Sequence, residues 1–493
     1  MTARRAFIMS SVEQYLAIVI NVAVVATMAR LLTTDGIGHM VTGIGIGAVA
    51  LSIREFATPE FLIQKQTIDV KDIRTAFTLL AGITVFVTAC VMAAAGWIAR
   101  FYDFPELPFF LFLVLMSAFA EILSLPIIAI MRRDMAFGRL ANIRTVSLVI
   151  SAIVTMLLGY LDVGYMSYAW GMLAGAISLA MLAVVVSPYP LSTICRPSLA
   201  SLDAAIAFGR YKGASQLIDR IYETVPQLLL GKIISMSSVG LYNRANTVCG
   251  IPDRIIMSAF YAMAFPALSA SVREGRNIRQ AYLQTLAYIS CLYWPGVLLI
   301  AVTSEPIVNL VLGPQWHEAG HLVHILSLAA VFWFAVIVTN PLLLALGENR
   351  DAFLSSLFCR CIATILLCIA SVYGVTAMAL SQFVSLPIQM IISLAFAKRH
   401  LGFTLSELWL AIMPSVVVTA FTMAGPLALL AFHGWDMDMG LITLGVTFLL
   451  ALAGWLPGLV LAQHPFLDEV RFIALRLLGA MPWLRRHFPA LGA

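Results

Sequence analysis

The chain has 493 residues, 61% hydrophobic and only 11% charged, whereas a soluble globular chain is about 25% charged. That balance excludes a water-soluble enzyme and describes a polytopic, all-α integral membrane protein. The formal net charge of +5 follows membrane orientation, as the loops show, and is no nucleic-acid footprint.

An α-helical span takes about 20 mostly apolar residues. Fourteen are predicted, at about 10–32, 37–57, 76–99, 107–130, 140–161, 165–186, 207–233, 238–263, 281–303, 318–346, 352–373, 375–397, 407–432 and 440–462. The gaps stay within about one span length, so no soluble catalytic domain hangs off either face. No G-x-x-x-x-G-K-[ST] phosphate loop occurs, which excludes a built-in ATPase. Only Arg4 and Arg5 precede span one and no small-residue cleavage site follows it, so span one is read as a retained helix.

Of the 30 Lys and Arg residues, 21 fall in segments facing one side, with both termini, and two, Arg100 and Lys232, on the other. By the positive-inside rule the crowded side is cytoplasmic. The seven cysteines lie mostly within spans, and none sits in an outside loop, so no disulfide framework is legible. Residues 468–488 interleave Arg471, Arg476, Arg485 and Arg486 with Phe, Leu and Trp, which predicts an amphipathic helix on the inner surface.

The first six spans repeat as the next six. Arg30-Leu-Leu-Thr-Thr-Asp-Gly-Ile-Gly38 after span one matches Lys232-Ile-Ile-Ser-Met-Ser-Ser-Val-Gly240 after span seven, at an offset of 202. Pro59 matches Pro266, Ile73-Arg74 matches Ile278-Arg279, Ile98 to Pro105 matches Ile307 to Pro314, and Pro126 matches Pro341. The matches keep their order while the offset drifts to 215. A parallel duplication of this kind builds transporters around a central axis. It divides the chain into an N-lobe over 1–200, a C-lobe over 201–400, and two further spans with the amphipathic tail over 401–493.

His317-Glu-Ala-Gly-His321 spells the H-E-x-x-H of zinc proteases. The residues around it argue against zinc. The turn carrying the histidines has a counterpart at 96–107 without them. The later spans offer no Asp near their centres for a third ligand. His324 stands seven residues from His317, roughly 10 Å along a helix, against zinc bonds of about 2 Å. The remaining reading is an interfacial polar cluster opening span ten.

Seven basic residues remain in the spans or at their edges: Arg30, Arg54, Arg144, Arg220, Arg244, Arg254 and Arg360. An ionised group at mid-depth costs about 2.5–3.5 kcal/mol on insertion scales and usually faces a cavity or a partner. Five of the seven, Arg30, Arg54, Arg220, Arg244 and Arg254, belong to spans one, two, seven and eight, which the repeat relates to one another. The simplest geometry sets these helices around a basic central cavity for an anionic cargo. Arginine holds phosphate by forked hydrogen bonds. The alternative is self-neutralisation by Asp219, Glu223 and Asp253, which are also candidate ion-coupling or charge-balancing groups. Asn243 and Asn246 could meet sugar hydroxyls or only cap helix ends, and Gly43, Gly45 and Gly47 permit close helix contact.

"RLLTTDGIG" at 30–38, "FLIQ" at 61–64, "GLYNRANTVCGIP" at 240–252, "FPALS" at 265–269 and "EPIVNLVLGPQWHEAG" at 305–320 resemble the Wzx-type polysaccharide transporters. These belong to the MOP exporter superfamily, and the likeness is to its exporters of colanic acid and succinoglycan. The resemblance implies two pseudo-symmetric six-helix lobes plus two extra helices, alternating access, and no enzyme activity. It implies a flippase that moves undecaprenyl-diphosphate-linked oligosaccharide from the inner to the outer leaflet of the bacterial inner membrane. Membrane lipids and the pathway's polymerase and co-polymerase would be its partners, and no cofactor or metal is expected beyond coupling to a proton or sodium gradient. Pro226-Gln227 departs from the Asp-Asn pair that relatives often carry. A cation-coupled multidrug antiporter of the same fold is the second reading, and an intramembrane zinc protease the remote third.

Overall fold

The computed structural model describes residues 3–57, 59–64, 68–187, 189–256, 277–432, 434 and 440–471. Among these there is helix, turn and no strand. The helices are α1 (Ala3–Leu31), α2 (Thr34–Leu51), α3 (Phe61–Gln64), α4 (Val70–Phe101), α5 (Leu107–Arg133), α6 (Phe137–Tyr160), α7 (Met166–Val186), α8 (Leu191–Ile194), α9 (Leu202–Ile233) and α10 (Met236–Cys249). After α11 (251–256) come α12 (Ile278–Val302), α13 (Ser304–Val311), α14 (His317–Ala330), α15 (Phe334–Ala345), α16 (Asn349–Ser371), α17 (Val375–Leu380), α18 (Gln382–Leu401), α19 (Leu405–Phe432) and α20 (Leu441–Leu461). Within lipid every backbone N–H and C=O must be paired internally, which is why apolar runs of this length become helices.

Twelve helical stretches are long and apolar enough to cross a membrane among the described residues, and they correspond to spans one to six and nine to fourteen. The expected count of fourteen is therefore not reached on apolarity alone. Span seven is present as α9, 32 residues long, but Asp203, Arg210, Lys212, Asp219, Arg220, Glu223 and Lys232 keep it out of that apolar set. Span eight is described only through α10 and α11. Its remainder, the "FPALS" segment, and the predicted amphipathic tail beyond residue 471 lie outside the described residues.

The chain divides into two compact units. The first comprises Met1–Ala245, Val308–Leu322 and Ser356–Ser381; the second comprises Asn246–Ile307, Val323–Ser355 and Gln382–Ala493. In the first unit, Ile73, Ile127, Ile130, Met131, Leu140 and Ile143 form a core where α4, α5 and α6 meet. Helix α2 starts where the Thr33 hydroxyl accepts from Gly36 N, a side-chain cap that satisfies an otherwise orphaned donor. In the second unit, α19 and α20 touch backbone to backbone. A Cβ on Gly454 would lie 2.2 Å from Phe421 O, and one on Gly458 would crowd Val418. Two glycines four apart are how apolar helices approach closely where lipid supplies no hydrophobic drive. The other face of α20 leaves Ile442, Leu449 and Leu452 exposed, as lipid contact requires.

Candidate functional site: a clasp and two chambers along α2 and α9

The clasp and both chambers described below lie within the first unit. At one end of α2 its backbone meets that of α10. A Cβ on Gly38 would sit 1.9 Å from Met236 O, and a Cβ on Gly240 would sit 2.1 Å from Thr34 O. Each contact is the image of the other under the repeat offset, since 34 and 236, like 38 and 240, differ by 202. Only residues without a Cβ allow this approach. The Ser237 hydroxyl donates to Thr34 Oγ1 at 2.7 Å, and the Thr42 hydroxyl lies 3.4 Å from Met236 Sδ.

The turn at 310–316 closes against the same end. Arg30 Nη2 donates to Leu310 O at 2.7 Å, Trp316 Nε1 to Ala29 O at 2.7 Å, and Gln315 Nε2 to Leu32 O at 3.1 Å. Gly313 enters this turn at φ 105°, a left-handed backbone that favours glycine. Arg30 is thus part of the clasp and lines neither chamber described below. Lys232 Nζ adds an ion pair to Asp103 at 3.4 Å.

Further along α2 and α9 lies a cavity of about 340 Å³, lined by Arg54, Glu55, Glu60, Glu121, Arg132, Arg144, Gln216 and Arg220 among apolar neighbours. Four guanidinium groups therefore face three carboxylates. Arg54 is 6% exposed and donates from Nη1 to Glu121 Oε2 at 3.0 Å, while its Nε and Nη2 are buried with no hydrogen-bond partner among the described residues. Buried donors of a cation left unpaired are costly. Arg132 pairs with Glu60 at 3.2 Å, and Arg144 approaches Glu13 at 3.8 Å. A second cavity, of about 220 Å³, lies between this one and the clasp and shares Ala48 and Arg220 with it. Arg220 Nη1 donates to Glu223 at 2.9 Å.

Of the five arginines singled out in the sequence, Arg54 and Arg220 meet in the larger cavity. Arg244 is buried, with Nη2 on the Tyr168 hydroxyl at 3.0 Å, and lines neither cavity. Arg254 is exposed on α11 and belongs, with Asp253, to the second unit. Asp219 pairs with Arg360 Nε at 3.0 Å, and that guanidinium lies 4.5 Å over the Tyr222 ring. Self-neutralisation is therefore extensive: Arg220 is paired within its own helix, while Arg54 and Arg360 find their acids on other helices.

Glu121, Arg132, Arg144 and Gln216 were missed as site residues. Glu121 had a signal: it is an acid within an apolar span, and mapping acids as well as bases would have flagged it. Arg132 read as an ordinary loop cation.

His317, Glu318 and His321 are exposed at the start of α14, and the His324 ring is engaged with Ala301 O at 2.8 Å. Among the described residues no three His, Cys, Asp or Glu side chains converge as a metal-ligand group.

The chain is 23% identical over 346 residues to the lipopolysaccharide biosynthesis protein WzxC of Escherichia coli (strain K12), covering 68% of this chain and 67% of that one. It is 20% identical to the succinoglycan biosynthesis transport protein ExoT of Rhizobium meliloti (strain 1021), covering 69% and 68%. Its fold superposes on the lipid II flippase MurJ in an inward closed conformation with a TM-score of 0.74 at 12% identity, over 94% of this chain and 100% of that one. An inward-facing multidrug resistance MATE transporter of the MOP superfamily gives 0.64 at 14% identity, over 79% and 94%. The fold is the one these transporters share. The family model described as polysaccharide biosynthesis protein matches residues 27–321, and the chain belongs to that family.

Proposed function

We propose that the protein is a flippase for a diphosphate-linked oligosaccharide on an undecaprenyl tail, moving it from the inner to the outer leaflet of a bacterial inner membrane. The observation that carries this reading is the larger cavity, where Arg54, Arg132, Arg144 and Arg220 stand together within one unit. A diphosphate brings negative oxygens that match guanidinium forks. It would displace Glu121 and Glu223, which hold Arg54 and Arg220 when no cargo is bound. The lipid tail stays in the bilayer while the headgroup crosses.

The clasp supports alternating access. Under the expected topology it lies at the outer ends of spans one, two, seven and eight, so the state described is sealed outward. The relatives' names point the same way, since one is a succinoglycan transport protein and a structural neighbour is a lipid II flippase. Both termini are cytoplasmic in this reading. The two lobes are residues 1–200 and 201–400, and a polymerase of the same pathway takes the product.

The cation antiporter reading would use Asp219, Glu223 or Asp253. Two of these already hold an internal cation, Arg360 on Asp219 and Arg220 on Glu223, which disfavours a cationic cargo. The test is a proteoliposome assay with the purified chain. A fluorescent undecaprenyl-diphosphate oligosaccharide should change leaflet and a cationic dye should not be exported. The opposite pattern would replace this reading with the antiporter.

A further inference from the structure

The smaller cavity differs from the larger in kind. Met40, Val41, Ile44 and Leu228 give it an apolar side, Thr42, Thr224, Gln227 and Asn243 give it hydroxyls and amides, and its charged lining is a single pair, Arg220 with Glu223. We propose that this cavity seats the sugar ring joined to the diphosphate, with Gln227 as its specificity-determining residue. The proposal rests on the flippase reading.

The three glycines of α2 divide their work. A Cβ on Gly43 would strike the Phe110 ring at 2.5 Å and one on Gly47 the Val114 side chain at 2.8 Å, so those two let α5 pack closely. Gly45 faces away from α5. A Cβ there would lie 2.7 Å from Thr224 Cγ2. Both Gly45 and Thr224 line the cavity, so an added side chain there would push Thr224 aside at the cavity wall.

Gln227 supplies the polarity. Its Nε2 donates to Glu223 O at 2.8 Å, which fixes the nitrogen end, because a carbonyl oxygen can only accept. Its Oε1 is buried without a hydrogen-bond partner among the described residues. The unmet group is an acceptor, so it calls for a donor. A sugar hydroxyl is one, and an ionised phosphate oxygen is not. Gln227 lines the cavity, so its amide stands at the wall that a hydroxyl of the cargo would reach. The apolar wall suits the C–H face of a pyranose ring.

Size and position agree. The volume of about 220 Å³ is below the roughly 300 Å³ where pockets for drug-sized ligands begin, which suits one ring better than a repeat unit. Arg220 lines both cavities. A phosphate held there places the ring one linkage away in the smaller space.

The test compares two probes on the purified full chain in lipid nanodiscs: undecaprenyl diphosphate, and the same lipid carrying a single hexose. The unmodified chain should bind the hexose form about 3- to 10-fold more tightly, the equivalent of one or two net neutral hydrogen bonds. Gln227→Leu should bring the ratio to about one while the sugar-free lipid still binds. Gly45→Ala, which narrows the cavity without removing a polar group, should lower the ratio too, and it keeps the test open if Gln227→Leu does not insert. Equal affinities in the unmodified chain, or a ratio kept in both variants, would overturn the sugar seat alone. Binding of neither probe would overturn the flippase reading beneath it.

Discussion

In the second unit, Ser290 donates to Ser415 at 2.9 Å, Ser415 donates to Ala287 O at 3.0 Å, and the His464 ring reaches Ser415 from Nε2 at 3.0 Å. Phe466 N donates to His464 Nδ1 at 3.0 Å, which leaves the neutral ring's proton on Nε2. Every member of that chain has a partner. In the first unit, Arg54 keeps two buried nitrogens without one, and Gln227 keeps its Oε1. The contrast separates two uses of polarity inside a membrane protein. A closed network fixes helices in place, and the incomplete one beside the cavities is what the proposed cargo would complete.

The contrast breaks most readily at Arg220, the cation common to both cavities. Arg220→Ala should reduce polymer export at least about 10-fold, the scale of a lost charged hydrogen bond, with membrane insertion unchanged by immunoblot. Arg254→Ala, on the other unit, would match that loss only if the basic site extends beyond the cavity described.

Next in size is the clasp. Gly38→Val puts a branched side chain against Met236 O and should pry the seal apart. Ser237→Cys, paired with a membrane-impermeant maleimide, reads this directly. Labelling should be slow in an otherwise unchanged chain and several-fold faster with Gly38→Val. Equal rates would show that the glycines do not hold the seal.

The closed network should answer to pH instead of cargo. Burial pushes the His464 imidazole down to about 4 from its ordinary 6.5. The neutral ring is the form that the fold holds, so the stabilisation is full above about pH 6.5 and is lost as pH falls toward 4. The melting temperature in detergent should drop between pH 7 and pH 5, and His464→Gln should flatten that slope with export retained. The smallest effect belongs to His317→Ala/His321→Ala. Export and bound zinc should both match the unmodified chain, because the two rings are exposed and no third ligand converges on them among the described residues.

Legibility in the sequence followed the range of the interaction. The repeat offset of 202 named Gly38 and Gly240 as equivalents, and the structure brings both to one clasp. A charge list pointed to Arg54 and Arg220 but also to Arg30 and Arg244, which face Leu310 and Tyr168 instead. Nothing in the spacing along a helix tells which neighbour will accept a guanidinium from another helix. Gly43, Gly45 and Gly47 look alike in sequence, yet α5 takes two of them and the cavity the third.

By itself the sequence determined the membrane class, the helices, the orientation bias and the internal duplication. Each depends on hydropathy, on charge counts along the chain, or on repetition, which are properties of neighbours in sequence. Only tertiary structure decided which arginines share a cavity, which acids hold them, and which glycine leaves space. Those outcomes depend on residues up to 287 positions apart, as Ala29 and Trp316 are, meeting within about 3 Å, and the chain's order does not encode that distance.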